Sequence, residues 1–237
     1  MKKKRIVIST VLIAIVFLCF APTVSANNQS WVSLDGGNLT TPDIEVLKSD
    51  FTGVALNITV HGMEVEQKEV DNETFQLLTI PEHGYLYRIG EPQVPAIRMF
   101  LAVPPDAEEI NVSILDREYS LLSGYYVYPA QEPPPEHYTA SNFTINQTIY
   151  STNSFYPEKV VSISYSGWLR DYRFIQLEVC PILFNPVTEE LRVYHHLEVE
   201  IEFIETEEGI AGTTRPGYEN IYNIMATMEN LTVSGSG

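Results

Sequence analysis

Between residues 191 and 203 the chain alternates almost without interruption. Leu191, Val193, His195, Leu197, Val199, Ile201 and Phe203 fall on one side of an extended backbone, and Arg192, Tyr194, His196, Glu198, Glu200 and Glu202 on the other. Successive side chains of a strand point to opposite faces, so this text predicts a strand with one buried and one wet face. Period-two runs recur at 110–115, 159–164 and 174–179, and shorter ones at 54–60, 75–80 and 97–103. His61-Gly62, His83-Gly84, Gly90-Glu91-Pro92, Pro104-Pro105 and Asn185-Pro186 separate these runs as turns do. Many short strands so punctuated predict an all-β fold, an antiparallel β-sandwich. The 14 tyrosines and 10 phenylalanines suit two sheets packed face to face.

Two segments leave this pattern. Residues 129–157 contain Pro133-Pro134-Pro135 and scattered aromatics, and predict a long, partly extended excursion. Residues 217–230 place Tyr218, Ile221, Tyr222, Met225 and Met228 at helical spacing behind Pro216, which predicts a short amphipathic C-terminal helix. Such a helix either lies on the sandwich or links it to a following domain.

The first residues bear on compartment. Lys2, Lys3, Lys4 and Arg5 precede an apolar run over 6–20, and Val24-Ser25-Ala26 supplies small residues, so a signal peptide cleaved after Ala26 is expected. The run is about 15 residues, short of the roughly 20 that cross a bilayer as helix. A chain so processed is secreted and free of the membrane. Cys19 leaves with the leader, and Cys180 remains as a lone thiol with no neighbouring cation to activate it, which reads as a packing residue.

Charge narrows the partners. The chain carries 14 basic and 31 acidic residues; without the leader's four cations, 10 face 31, a net of −21. Neutralising phosphates requires a basic patch, so nucleic acid is not an expected partner. Eight Asn-x-Ser/Thr sequons, at Asn28, Asn38, Asn57, Asn72, Asn111, Asn142, Asn146 and Asn230, predict a glycosylated surface, each occupied one on a loop or solvent-facing strand position.

No chemistry of its own emerges from the residues. His195 and His196 are adjacent in a strand, point apart and cannot converge on one ion. His196 with Glu198, Glu200 and Glu202 shares a face that would hold calcium weakly at most, and no metal or cofactor is expected. Cys180 precedes Pro181 in strand-like text and lacks the neighbours of a catalytic thiolate. Tyr125, Tyr126 and Tyr128 suggest a sugar-stacking platform, although alternation places Tyr126 and Tyr128 on one face.

Two stretches carry a family resemblance. One contains Tyr172-Arg173, a strand, then Pro181, Phe184, Asn185 and Pro186, a short turn, and Leu191, Val193 and Tyr194 at the head of the long strand; the other has Gly90, Pro92, Pro95, Ala102-Val103-Pro104 and Asp106-Ala107. Together they resemble the propeptide of gingipain-type (C25) cysteine peptidases from about residue 43 to 206. The resemblance implies a jelly-roll-like sandwich over 43–206, after a signal peptide at 1–26 and an extension at 27–42, with a linker and short helix at 207–237 leading towards a catalytic domain absent from this sequence. It implies a non-enzymatic prodomain that assists folding of its peptidase and occludes the cleft, in cis or in trans. A basic anchor for that cleft would be Arg117, read as a turn residue between the strand ending at Leu115 and the run at Leu121, with Arg88, Arg98, Arg170, Arg173 and Arg215 as competitors. The Arg215-Pro216 bond resists cleavage after arginine. The other reading is a stand-alone extracellular glycoprotein module, an adhesin or carbohydrate binder.

Overall fold

The computed structural model describes residues 29–133, 143–170 and 172–205. Ala26, Asn28, Asn142, Arg215, Asn230 and the helix expected within 217–230 lie outside the described residues. The described elements are β1 (Gln29–Ser33), β2 (Asp43–Asp50), β3 (Gly53–Thr59), β4 (Gly62–Val70), β5 (Glu73–Thr79), β6 (Gly84–Tyr85), β7 (Pro95–Val103), β8 (Ala107–Ser123), α1 (Gln147–Tyr150), β9 (Val161–Leu169), β10 (Tyr172–Val179), β11 (Ile182–Asn185) and β12 (Glu190–Glu205). The chain is all-β, as its alternation predicts.

Three antiparallel groups of strands enclose one core. Their orders are β1-β4-β5, β6-β7-β10-β9 and β11-β12-β3-β2, with β8 added along β12. Neighbours distant in sequence, β7 beside β10 and β3 beside β12, knit the chain as a jelly-roll-like sandwich does. Register follows the apolar pattern: Leu101, Met99 and Ile97 of β7 lie opposite Ile175, Leu177 and Val179 of β10. Across the core, Val54, Leu56 and Ile58 of β3 pair with Ile201, Val199 and Leu197 of β12. All twelve side chains join one buried cluster. Truncating one of the fully buried leucines or isoleucines to alanine would cost about 2–5 kcal/mol, since a packed core collapses only partly into the gap.

The long alternating strand breaks step once. His195 is an extra residue between Tyr194, opposite Tyr119, and His196, opposite Glu118. The bulge explains why Tyr194, expected on the wet face, is buried, while His195, expected with the core, is only half-buried near Glu118. Residues 182–185, which carry no alternation, form β11 with all four side chains buried. Asn185 ends it: its Oδ1 accepts from the Val187 and Thr188 amides, and its Nδ2 donates to Asn153 Oδ1 at 2.9 Å. That turn chemistry accounts for the Asn-Pro pair.

The stretch read as an N-terminal extension contributes β1, whose Ser33 lies opposite Gly62. The Trp31 ring packs where a Cβ on Gly62 would stand, so the β1–β4 pairing requires glycine there. β4 and β5 meet through Asp71-Asn72, both at positive φ, the signature of a two-residue type I′ hairpin turn.

Candidate functional site

The family-like motifs turn out to be structural joints. Arg173 Nη1 donates to the Ala107 carbonyl, so the Tyr172-Arg173 and Asp106-Ala107 motifs, far apart in sequence, tie β10 to the start of β8. Gly90, at φ +81°, donates its amide to Ala130 O at 2.7 Å and accepts from Asn146 N at 2.8 Å. Ala130 N in turn donates to Glu91 O, and Glu91 Oε2 accepts from the Tyr156 hydroxyl at 2.7 Å.

These contacts grip the base of the long excursion. Gln131 pins its two feet together: Nε2 donates to Thr144 O at 2.8 Å, and Oε1 accepts from Thr144 N at 2.8 Å. The returning chain forms α1, capped by Asn146 Oδ1 on the Thr148 and Ile149 amides. Tyr150 then inserts, donating its hydroxyl to Val127 O at 2.6 Å. Burial pushes the Tyr150 and Tyr156 hydroxyls far above the ordinary phenol range, so both stay protonated donors. The described ends of the excursion, 129–133 and 143–157, are thus fixed to the sandwich.

The second feature is β8, 17 residues long. It pairs with β12 on one side, and no described strand pairs with its other side. Arg117 lies here within a continuous strand, not in a turn as its Leu-Asp-Arg-Glu context suggested. It sits opposite Leu197, flanked by two irregularities: Leu115 is an extra residue in β8 and His195 one in β12. Its side chain is exposed, and its amide donates to Asp116 Oδ1 at 2.8 Å. Bulges and charge at a free edge are the usual means of discouraging unwanted strand addition. The same groups give the edge a specific shape and a protruding cation.

Other singled-out residues are placed as follows. Cys180 is buried directly after β10, and burial pushes its thiol up to about 12, so it is unreactive at neutral pH. His196 Nε2 lies 3.9 Å from Asp116 Oδ2 and His195 Nδ1 3.8 Å from Glu118 Oε2, so each histidine has its own carboxylate. Among the described residues no group of three or more His, Cys, Asp or Glu side chains could hold a metal ion. Tyr126 and Tyr128 pack their rings on buried Phe75, with centroids at 5.2 and 5.9 Å, and Tyr125 is half-buried. They do not form an open stacking platform. Arg98 is tied to Glu178 at 2.7 Å, and Arg88 lies 3.8 Å from Glu91. No helix among the described residues is long and apolar enough to cross a membrane.

The sequons divide by environment. Asn38, Asn72 and Asn111 are exposed. Asn57 lies on β3 between two partner strands, with its Oδ1 screened from solvent. Asn146 is half-buried and caps α1.

Sequence reading missed a joint at His61. Its Nδ1 lies 2.6 Å from Asp35 Oδ2 and its Nε2 2.9 Å from Asp43 Oδ2. The histidine hydrogen bond holds the Asp35 carboxyl down at about 2, and the two aspartates raise the imidazole above its ordinary value. The three residues span positions 35 to 61, so no local spacing announces them.

Comparison with known proteins gives a consistent picture. A family model described as Propeptide_C25 matches residues 36–229. Lys-gingipain of Porphyromonas gingivalis is 23% identical over 194 residues, covering 76% of this chain and 11% of its own. Gingipain R1 of the same organism is 24% identical over 195 residues, covering 78% of this chain and 19% of its own. The chain therefore spans only a small part of the length of these relatives. Among solved structures, one concerning the zymogenic latency of gingipain K from P. gingivalis has a TM-score of 0.64 at 22% identity, covering 75% of this chain and all of that one. A complex of P. gingivalis RgpB pro- and mature domains has a TM-score of 0.65 at 18% identity, covering 78% of this chain and 97% of that one. At such identities the likeness is one of fold.

Proposed function

Since the chain belongs to the Propeptide_C25 family, we propose that it acts as a secreted, non-catalytic prodomain that assists folding of a gingipain-type cysteine endopeptidase and occludes its cleft until processing. The observation that carries this reading is the span of the family match, which takes in nearly every described strand. A solved relative in which pro- and mature domains form a complex supports a peptidase catalytic domain as the partner, in cis or in trans.

The geometry suits the task. An extended segment that enters a peptidase cleft gains main-chain hydrogen bonds, and one side chain in a specificity pocket supplies the anchor. The free edge of β8 offers such a segment, with the exposed Arg117 between the extra residue Leu115 and the point opposite the β12 bulge at His195. We assign Arg117 as the anchor.

The purified chain, added to its cognate catalytic domain, should abolish peptide hydrolysis at a one-to-one ratio. Full activity at excess prodomain would sink the reading. Arg117→Ala should weaken inhibition at least tenfold, as loss of a charged anchor does at an interface. An unchanged inhibition constant would reject Arg117 while leaving the prodomain role intact.

A further inference from the structure

Arg192 of β12 holds its guanidinium against two aromatic rings and has no acceptor. Its Cζ lies 4.1 Å from the centre of the Phe155 ring and 5.2 Å from that of Tyr119. An arginine stacked on rings is held in one orientation, with the donors around its rim left available. Among the described residues the Arg192 side chain makes no hydrogen bond and no ion pair, and its Nε is screened from solvent without a partner. A buried donor left unpaired is unfavourable and calls for an explanation in a native chain. Acceptors are not scarce here, since the chain carries 31 acidic residues against 14 basic. Arg98 and Arg88 each have a glutamate, Glu178 and Glu91, and Arg192 has none.

Register places this head next to the open side of the sheet. Directly opposite Arg192, and so on its face, stand Leu183 of β11, which is buried, and Leu121 of β8, 53% exposed. Tyr119 and Arg117 share the face of Leu121, at intervals of two along β8. Phe155 is fixed from the β11 side, because its neighbour Tyr156 exchanges both backbone hydrogen bonds with Phe184, at 2.8 and 2.7 Å. The buried surroundings of Arg192 thus lie towards β11, and its exposed neighbours, Leu121 and Tyr119, towards the edge of β8 that no described strand pairs. Arg117 and Arg192 give this face two cations without an acidic partner among the described residues, in a chain whose net charge is −17. Charge complementarity therefore calls for an acidic group from another chain, with apolar contacts waiting beside it.

We propose that Arg192, steadied by Phe155 and Tyr119, receives a carboxylate of the peptidase catalytic domain, an Asp or Glu side chain whose apolar neighbours settle on Leu121 and Tyr119. The planar fork of a guanidinium matches the two oxygens of a carboxylate through parallel N–H···O bonds. The flanking rings keep water from the pair, as the contacts around a binding hot spot do. A doubly charged phosphate fits less well, because the acidic surface of the chain opposes it more strongly than a single carboxylate. This assignment rests on the prodomain reading and adds a second point of attachment beside the Arg117 anchor.

The test binds the full chain and its variants to the cognate catalytic domain and reads the dissociation rate of the complex. Arg192→Met keeps an apolar stem against the rings and removes the fork; it should speed dissociation at least tenfold. Arg192→Lys keeps the charge without the planar fork and should speed it at least threefold. The urea midpoints of both variants alone should stay within about 0.5 M of the parent, which separates recognition from packing. Arg192→Glu should dissociate at least a hundredfold faster, and substituting arginine for the matching acidic residue of the catalytic domain should restore at least tenfold, a rescue that a merely structural arginine does not give. Variants that dissociate as slowly as a parent that inhibits at one to one overturn the carboxylate site and leave the prodomain reading standing. Faster dissociation that only tracks a lowered urea midpoint, with no acidic position giving rescue, also overturns the site. A parent that does not bind the catalytic domain overturns both.

Discussion

Replacing Tyr150 by phenylalanine removes one oxygen from the joint that holds the excursion. Tyr150 is buried, its hydroxyl donates to Val127 O at 2.6 Å, and Val127 is fully buried. Phenylalanine keeps the ring contacts with Tyr126 and Phe184, at centroid distances of 5.5 and 6.2 Å, and strands a buried carbonyl. Leaving such an acceptor unsatisfied costs about 1–3 kcal/mol. With a urea m-value of about 2 kcal/mol/M for a domain of this size, the midpoint should fall by about 0.5–1.5 M. By comparison, Tyr85→Phe, at a 40% exposed tyrosine, should stay within about 0.5 kcal/mol of the parent. Urea unfolding followed by circular dichroism measures both. Amide exchange should also quicken around α1 before the β7–β10 pairing responds, because the stranded carbonyl lies at that joint. A midpoint and m-value unchanged from the parent would refute the claim that this hydrogen bond secures the returning chain.

Other consequences follow from individual side chains. The His61 clasp should be pH-dependent with a defined sign. Its raised imidazole pKa contributes stability that is full below 6.5 and fades as pH rises through the raised value, while Asp35 contributes above 3.8 and loses its share as pH falls towards about 2. Exchange protection of β1 measured against pH should therefore plateau between about 4 and 6.5, and His61→Gln should remove the alkaline decline. A thiol reagent at pH 8 should leave Cys180 unmodified in the folded protein and label it fully in denaturant, since burial holds the thiol at about 12. In a glycosylating host, peptide mapping should find glycans at Asn38, Asn72 and Asn111 in preference to Asn57, whose Oδ1 is screened from solvent on a strand flanked by β2 and β12; high occupancy at Asn57 in folded protein would contradict that packing.

Period two revealed the strands whose two faces differ. β3, β7, β10 and β12 each set a buried row against a wetter one, and alternation alone located them. β11 escaped because all four of its side chains are buried, which removes the contrast on which the pattern depends. β8 was read as two pieces because Leu115 is an extra residue and Asp116-Arg117-Glu118 follow it, and an edge strand needs no continuous apolar row. The Gly90, Asn185 and Tyr172-Arg173 motifs were visible as text, yet their roles as joints are long-range hydrogen bonds. The His61 clasp, the pinning of Thr144 by Gln131 and the unpaired edge that carries Arg117 were likewise invisible. Sequence by itself determined which residues are extended and which face is dry, because a strand's side-chain period is local. Which strands become neighbours, where an extra residue shifts the register and which edge is left open were decided only by tertiary structure, since backbone pairing in a sheet joins groups that the sequence holds far apart.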